Sequence, residues 1–409
     1  MIRLIVNCAA RGTSLPVAEK IITTDRELER FVQGLAAAPS IAFDTEFVSE
    51  HSYRPQLCLI QVAVGDELTV IDPLPLGSVE SFWQVMAGSG HESIVHAGRE
   101  EVCFCLDAVG SPPSNLFDVQ LAAGLVGYEY PAGYGTLVSR VLGKQVHKRE
   151  TRTDWRRRPL SSNQIQYALD DVRDLSAVRD ALHDELERLG RLSWLAAEMT
   201  QWLEDVKLSR GRERWWRVTG STNLSSRDLA LVREVWRWRE DEARRRDCPV
   251  RRILRDDLIV ELAKRRATDE RQIRAVRGLD RRDLQPALTG LSQAIARGLS
   301  VPDEDCPRAA RRESNSHLSL VAQFLSSALT SICRSARVAT SIVGTAQDVR
   351  DLVAWRLAAE HGREASEPPI LARGWRAEVV GHLLDDLLAG KTSIRIRDPR
   401  SDEPLAFET

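Results

Sequence analysis

Several things are missing from this sequence, and each absence narrows what it can be. No stretch approaches the roughly 18 consecutive apolar residues that a membrane-spanning helix needs. The opening MIRLIVNCAA has only a short apolar run, broken by Asn7, and makes a poor signal peptide. Cysteine is sparse and odd in number: seven residues, none in a CxxC pair. That excludes the disulfide framework of a small secreted domain and gives no zinc spacing. A reducing cytoplasm is the expected compartment. Long low-complexity tracts are also lacking. With 43% hydrophobic and 28% charged residues the chain can bury ordinary cores, so it is neither disordered nor collagen-like. Its 409 residues suggest two or three domains.

Lysine is the other scarcity, because 51 of the 57 basic residues are arginine. The net charge of −2 conceals an asymmetry: residues 210–300 carry 23 Arg or Lys against 14 Asp or Glu, a local +9 that leaves −11 elsewhere. A basic module joined to a more acidic one suits an enzyme that holds a polyanion. An arginine-rich codon usage explains the same bias without any function.

Residues 1–15 show no clear pattern. A short strand at Ile21–Thr23 and a helix near Arg26–Leu35 come first. Strands at Ile41–Phe47, Leu57–Val64 and Leu68–Ile71 follow, spaced closely enough for an antiparallel meander. Ser93–His96 is a fourth apolar strand. The period then turns helical over Glu100–Val109, Val119–Val126, Thr136–Leu142 and one long helix from Ser161 to about Leu189. Ser161 and Gln164 have capping-box spacing at its start. Strands followed by helices around one sheet read as α/β. From about residue 223 the chain reads as all helix. Residues 301–316 form a polar linker, and a last helical block runs from His317 to about Gly390.

Three clusters carry chemistry. In Phe43-Asp44-Thr45-Glu46-Phe47, a strand would place Asp44 and Glu46 on one face. Two such carboxylates repel unless a divalent cation joins them, although a solvated strand edge would also accommodate them. In Tyr167-Ala168-Leu169-Asp170-Asp171, Tyr167 and Asp171 are four apart and share a helix face. A phenol beside a carboxylate can orient a water, while an amphipathic helix with a charged outer face is the bland alternative. In His96-Ala97-Gly98-Arg99-Glu100-Glu101 a strand gives way to a helix, where acids commonly complement the helix dipole. Cys103 and Cys105, two apart on a helix, read as core.

Taken together, these clusters resemble the DEDD superfamily of 3′–5′ exonucleases and, within it, the ribonuclease D family. FDTEF matches the Asp-x-Glu motif and Tyr167 to Asp171 the Tyr-x-x-x-Asp form of the tyrosine subclass. PQLCLIQVAV (55–64), HAGREEV (96–102), LFDVQLAAGLVG (116–127) and TRTDWRRRPLS (151–161) lie between or beside them. WREDEARRRDCPVRRILRDDLIVELA (238–263) looks like the HRDC helical domain, and GWRAEVVGHLLDDLL (374–388) like the end of a second, degenerate one. One position departs: where the family has Asp, five residues after the histidine, this chain has Glu101. Asp118 is a substitute acid in principle, but it fits a family position that looks structural.

The resemblance implies a ribonuclease H-like exonuclease domain, a mixed sheet flanked by helices, over residues 16–205. An HRDC domain over 206–300, the linker 301–316 and a second HRDC-like helical domain over 317–398 complete the organisation. It implies two divalent ions, Mg²⁺ or Mn²⁺, held by Asp44, Glu46, Glu101 and Asp171, with Tyr167 orienting the attacking water. RNA 3′ ends, especially those of tRNA precursors, are the implied substrate, with no small-molecule cofactor and no membrane. Thr45, Tyr53, Arg54, Arg152 and Trp155 are the expected substrate contacts, the last two because cations around an aromatic ring suit phosphate contact and base stacking. Two rivals stay open: a 3′–5′ DNA exonuclease, and a nucleic-acid-binding protein whose nuclease site has decayed at Glu101.

Overall fold

A computed structural model of the chain describes residues 19–145, 153–308, 316–360, 367–401 and 403–408. It divides into two compact units. The first takes in residues 1–46, 58–122 and 132–189, the second residues 47–57, 123–131 and 190–409.

The first unit is built on a six-stranded sheet. Its strands are β1 (Glu19–Ile22), β2 (Ser40–Val48), β3 (Gln56–Val64), β4 (Glu67–Ile71), β5 (Glu92–Val95) and β6 (Leu116–Asp118), in the spatial order β1-β4-β3-β2-β5-β6. The expected antiparallel meander is seen between β3 and β4, which share the tight connection at Gly65, and β2 is the neighbour of β3 on its other side. The pairs β1–β4, β2–β5 and β5–β6 are parallel. The reason is the helices between them: α1 (Asp25–Leu35), α2 (Glu80–Ala87) and α3 (Arg99–Val109) supply the crossovers that parallel pairing requires. The mixed sheet with flanking helices is the α/β architecture that the sequence implies.

Helices α4 (Val119–Leu125), α5 (Tyr134–Leu142), α6 (Ser162–Arg173) and α7 (Leu175–Arg188) follow the sheet. The capping box at Ser161 and Gln164 is formed. The single long helix expected from Ser161 to Leu189 is instead two, broken at Asp174. Asp174 has φ −104° and ψ 3°, outside the helical range, and its amide donates to the phenol oxygen of Tyr134. A long-range partner for that amide therefore replaces helix continuation. Strand β6 was not anticipated, being only three residues long. At the centre of this unit Phe43, Phe82 and Trp83 are fully buried and pack edge to face, with ring centroids 5.0–6.2 Å apart.

The second unit is mostly helical, in keeping with the sequence. It contains α8 (Leu192–Gly211), α9 (Ser226–Arg245), α10 (Val250–Ile253), α11 (Asp256–Arg265), α12 (Glu270–Arg274) and α13 (Leu288–Ser300). A second block holds α14 (Ser316–Ser335), α15 (Thr340–Val343), α16 (Ala346–Glu360) and α17 (Gly374–Leu388). The core around α9, α11 and α13 includes Leu231, Val235, Ile259, Leu262, Leu291 and Ile295. Helices α9 and α13 approach closely at Gly298, where a Cβ would lie 2.8 Å from the Leu231 Cα. In the second block, Arg191 donates to the main-chain carbonyls of Leu125 and Arg337, each at 2.7 Å. The Ala339 amide reaches the Gly124 carbonyl at 2.8 Å. A C-terminal hairpin of β7 (Ser393–Ile396) and β8 (Leu405–Glu408), absent from the helical expectation, follows α17. Among the described residues no helix is long and apolar enough to cross a membrane.

Candidate active site

Strand alternation sets the first part of the site. Phe43 and Thr45 are buried on one face of β2, which leaves Asp44 and Glu46, both partly exposed, on the other. The Phe43 anchor thus fixes which way the two carboxylates project.

The second part depends on the turn into α3. Asp118, buried at the end of β6, accepts hydrogen bonds from the amides of Ala97 (3.1 Å), Gly98 (3.0 Å) and Gln120 (2.8 Å). Ala97 takes a positive φ of 55°. A Cβ on Gly98 would lie 2.4 Å from Val95 Cγ2, so only glycine fits there. His96 makes a 2.8 Å hydrogen bond from its Nε2 to the Ala132 carbonyl. This turn places Glu101 in the first turn of α3, where it is 4% exposed. Its Oε1 accepts a 2.5 Å hydrogen bond from the Thr45 hydroxyl. With both Asp118 oxygens committed to backbone amides, its role is structural, as its position suggests.

The third part is α6, which carries Tyr167 and Asp171 one turn apart. The side chains of β2, α3 and α6 act on one another electrostatically. Burial and the charges of Glu101, Asp171 and Glu46 push the Asp44 carboxyl well above its usual range. Burial, then Asp171 and Glu101, push Glu46 up to about 8. Burial is the main cause that raises Glu101 to about 7, against the lowering effect of the Thr45 hydrogen bond. Burial, with Asp170, raises Asp171 to about 7. The Tyr167 phenol is pushed up to about 12 by burial and by Asp171, Glu46 and Asp44, so it keeps its proton at neutral pH.

Four carboxylates in one another's field are a hard, all-oxygen donor set that suits Mg²⁺ or Mn²⁺ rather than zinc. Their donor chemistry fits a divalent cation, whose charge would offset the burial and the neighbouring negative charges that raise them. Among the described residues no three His, Cys, Asp or Glu side chains are already drawn into ligating geometry.

The expected substrate contacts are distributed differently. Thr45 is buried, with its hydroxyl directed to Glu101. Tyr53 packs on α9: its amide donates to Asp247, its phenol donates to Glu240 and accepts from Arg244, and the Arg244 guanidinium lies 5.3 Å from its ring centroid. Trp155 is 7% exposed and lies against Tyr167. Arg54 is exposed on the segment beyond β2. Arg152 lies outside the described residues.

Tyr134 belongs to the site's surroundings and escaped the sequence reading, as did the partner of Arg158 in the TRTDWRRRPLS stretch. Tyr134, at the start of α5, lies within the field of Asp171 and Asp44, and its phenol is pushed up mainly by burial. Arg158 clasps the buried Asp72 carboxylate and donates to the Cys58 carbonyl at 2.9 Å, tying the segment after Trp155 to the sheet. Tyr134 is one of only five tyrosines, which is the one signal that could have marked it. Arg158 and Asp72 are 86 positions apart, and nothing local pairs them.

Comparison with known proteins accords with this geometry. A family described as 3′–5′ exonuclease matches residues 20–187, and the HRDC domain family matches residues 228–295. Ribonuclease D of Gluconacetobacter diazotrophicus is 33% identical over 382 residues, covering 91% of this chain and 92% of that one. Ribonuclease D of Granulibacter bethesdensis is 34% identical over 369 residues, covering 88% and 90%. The crystal structure of Escherichia coli RNase D, an exoribonuclease involved in structured RNA processing, is similar with a TM-score of 0.76 at 26% identity, covering 91% of this chain and 99% of that one. Fold and site together define a 3′–5′ exonuclease domain followed by helical modules that include an HRDC domain. The chain belongs to the ribonuclease D family.

Proposed function

We propose that this protein is a 3′–5′ exoribonuclease that hydrolyses phosphodiester bonds with the help of two divalent ions, Mg²⁺ or Mn²⁺. Its products are nucleoside 5′-monophosphates and an RNA shortened at its 3′ end, with tRNA precursors as the substrate class. The observation that carries this reading is that β2, α3 and α6 set Asp44 and Glu46 in the field of Glu101 and Asp171.

In this reading Asp44, Glu46, Glu101 and Asp171 hold the ions. Divalent ions held there would supply Lewis acidity at the scissile phosphate. Tyr167 stays protonated, so its phenol serves as a neutral hydrogen-bonding group that orients the attacking water beside Asp171. Trp155 keeps Tyr167 in place from behind. On the helical modules, Arg237, Arg239, Arg245 and Arg246 spend their charge on acids of the same unit. Arg251, Arg252, Arg271, Arg274, Arg277 and Arg282 are exposed and stand outside those pairs. They are the arginines suited to RNA phosphates.

The test is a matched pair of 3′-labelled RNA and DNA oligonucleotides with a tRNA precursor carrying a 3′ extension. Release of 5′-mononucleotides from RNA in Mg²⁺ or Mn²⁺, and its loss in EDTA, is expected. Equal or faster hydrolysis of DNA assigns the other sugar. Binding without hydrolysis assigns a decayed nuclease.

A further inference from the structure

The extra methylene of Glu101 has to be accommodated somewhere. A glutamate where an aspartate would do carries its carboxylate about 1 Å further and adds a rotatable bond, whereas metal–ligand distances tolerate only about 0.2 Å. In this structure that freedom is limited by the Thr45 hydroxyl, 2.5 Å from Glu101 Oε1, together with a hydrogen bond from the residue's own amide. Both side chains are buried, 5% and 4% exposed, so the hydrogen bond does not compete with bulk water. A buried carboxylate left without such a donor would lose a charge-assisted hydrogen bond.

The position of Thr45 makes the contact more than local. It sits between Asp44 and Glu46 on β2 and points to the opposite face of the strand. The strand that presents two of the carboxylates therefore also holds the third, from α3. A shift of β2 would carry all three together.

We infer that Thr45 is a positioning residue that holds the Glu101 carboxylate by Oε1 in place as a cation ligand, so that the Thr45–Glu101 pair does the work of a shorter acid. The inference rests on the proposed metal-dependent reading of this site. It assigns Thr45 to the metal centre rather than to the nucleotide.

The test uses the full chain as wild type, Thr45→Val, Thr45→Ser, Glu101→Asp and the double variant Thr45→Val/Glu101→Asp. Mn²⁺ binding is measured by calorimetry without RNA, melting temperature in EDTA, and kcat and KM on a short RNA. Residues that orient metal ligands typically contribute 10- to 100-fold in affinity or activity. Thr45→Val is accordingly expected to weaken Mn²⁺ binding and lower kcat by about 10-fold or more, with the RNA KM unchanged. Thr45→Ser retains the hydroxyl and stays near wild type. In the Glu101→Asp background Thr45→Val adds nothing, because the shorter carboxylate no longer reaches the hydroxyl.

A melting-temperature drop with unchanged Mn²⁺ affinity would mark the hydroxyl as merely structural and overturn the inference. So would a raised RNA KM alone, or an effect of Thr45→Val that is fully additive with Glu101→Asp. Should Thr45→Val fail to fold, Thr45→Cys, with its weak thiol donor, replaces it under the same criteria. Failure of the underlying reading shows instead in the wild type, as absence of Mn²⁺ binding and of nucleotide release.

Discussion

Trp155 lies against Tyr167, ring centroids 6.1 Å apart and planes inclined by 35°. The contact backs the phenol that stands among the carboxylates. Trp155→Ala should destabilise the fold by roughly 3–5 kcal/mol, as truncation of a buried tryptophan does. Trp155→Phe keeps a wall and is the more informative change. It should lower kcat through a looser Tyr167 and leave the RNA KM alone. A raised KM with unchanged kcat would instead mean that the indole touches a base.

Asp44→Asn and Asp171→Asn should each abolish hydrolysis, by about 1,000-fold or more, since each removes a charge that stabilises the bound ions. The same changes should raise the melting temperature in EDTA, because they remove one member of a repelling cluster. Loss of activity together with a gain in metal-free stability separates a functional acid from a structural one. Asp118→Asn should do the reverse and melt lower, because its carboxylate holds the amides of Ala97 and Gly98.

The carboxylates also set a pH dependence for the metal-free protein. Glu46 at about 8, and Glu101 and Asp171 at about 7, all lie above their unfolded values. The folded state then binds more protons than the unfolded chain, so stability falls as pH rises through that interval. Their favourable contribution is complete below about pH 4 and is lost by about pH 8. Calorimetric melting in EDTA should show that decline, and Mn²⁺ should flatten it. Mn²⁺ binding near pH 6 should release protons, giving an enthalpy that varies with the buffer's ionisation heat.

Replacing Arg251, Arg252, Arg271, Arg274, Arg277 and Arg282 with glutamine tests the RNA-facing charge. For single strands each neutralised phosphate adds about 0.7 to the slope of log K against log salt. Binding of long RNA should weaken, and its slope should become shallower by that amount for every phosphate that is no longer neutralised. Turnover of a short oligonucleotide should hardly change. The same substitutions at Arg245 and Arg246 should change the slope less, because the two share the Glu242 carboxylate, which offsets one of their two charges.

The alternation of β2, the one-turn spacing of Tyr167 and Asp171, and the capping box at Ser161 were legible because each depends on local period alone. So were the α/β character of the first unit and the helical character of the second. The break at Asp174 was not, since its amide is satisfied by Tyr134, 40 residues away. The pairing directions of β1 and β5 were hidden for the same reason: a strand's partner lies beyond the window in which periodicity operates. Trp155 and Tyr53 carry the right chemistry for nucleic acid, but the burial of one against Tyr167 and the contact of the other with α9 could not be read from the sequence, because both are properties of the folded chain.

What the sequence determined by itself is the inventory: which acids and phenol share a strand face or a helix face, and where the basic charge is concentrated. The period of a strand or helix is a local consequence of backbone sterics and needs no fold to be read. Only the tertiary structure decided that Asp44, Glu46, Glu101 and Asp171 feel one another, that Asp118 is spent on the backbone, and that Thr45 grips Glu101. Those outcomes depend on distance and desolvation between residues tens of positions apart, and Coulomb and hydrogen-bond energies exist only once folding has set that separation and excluded the water.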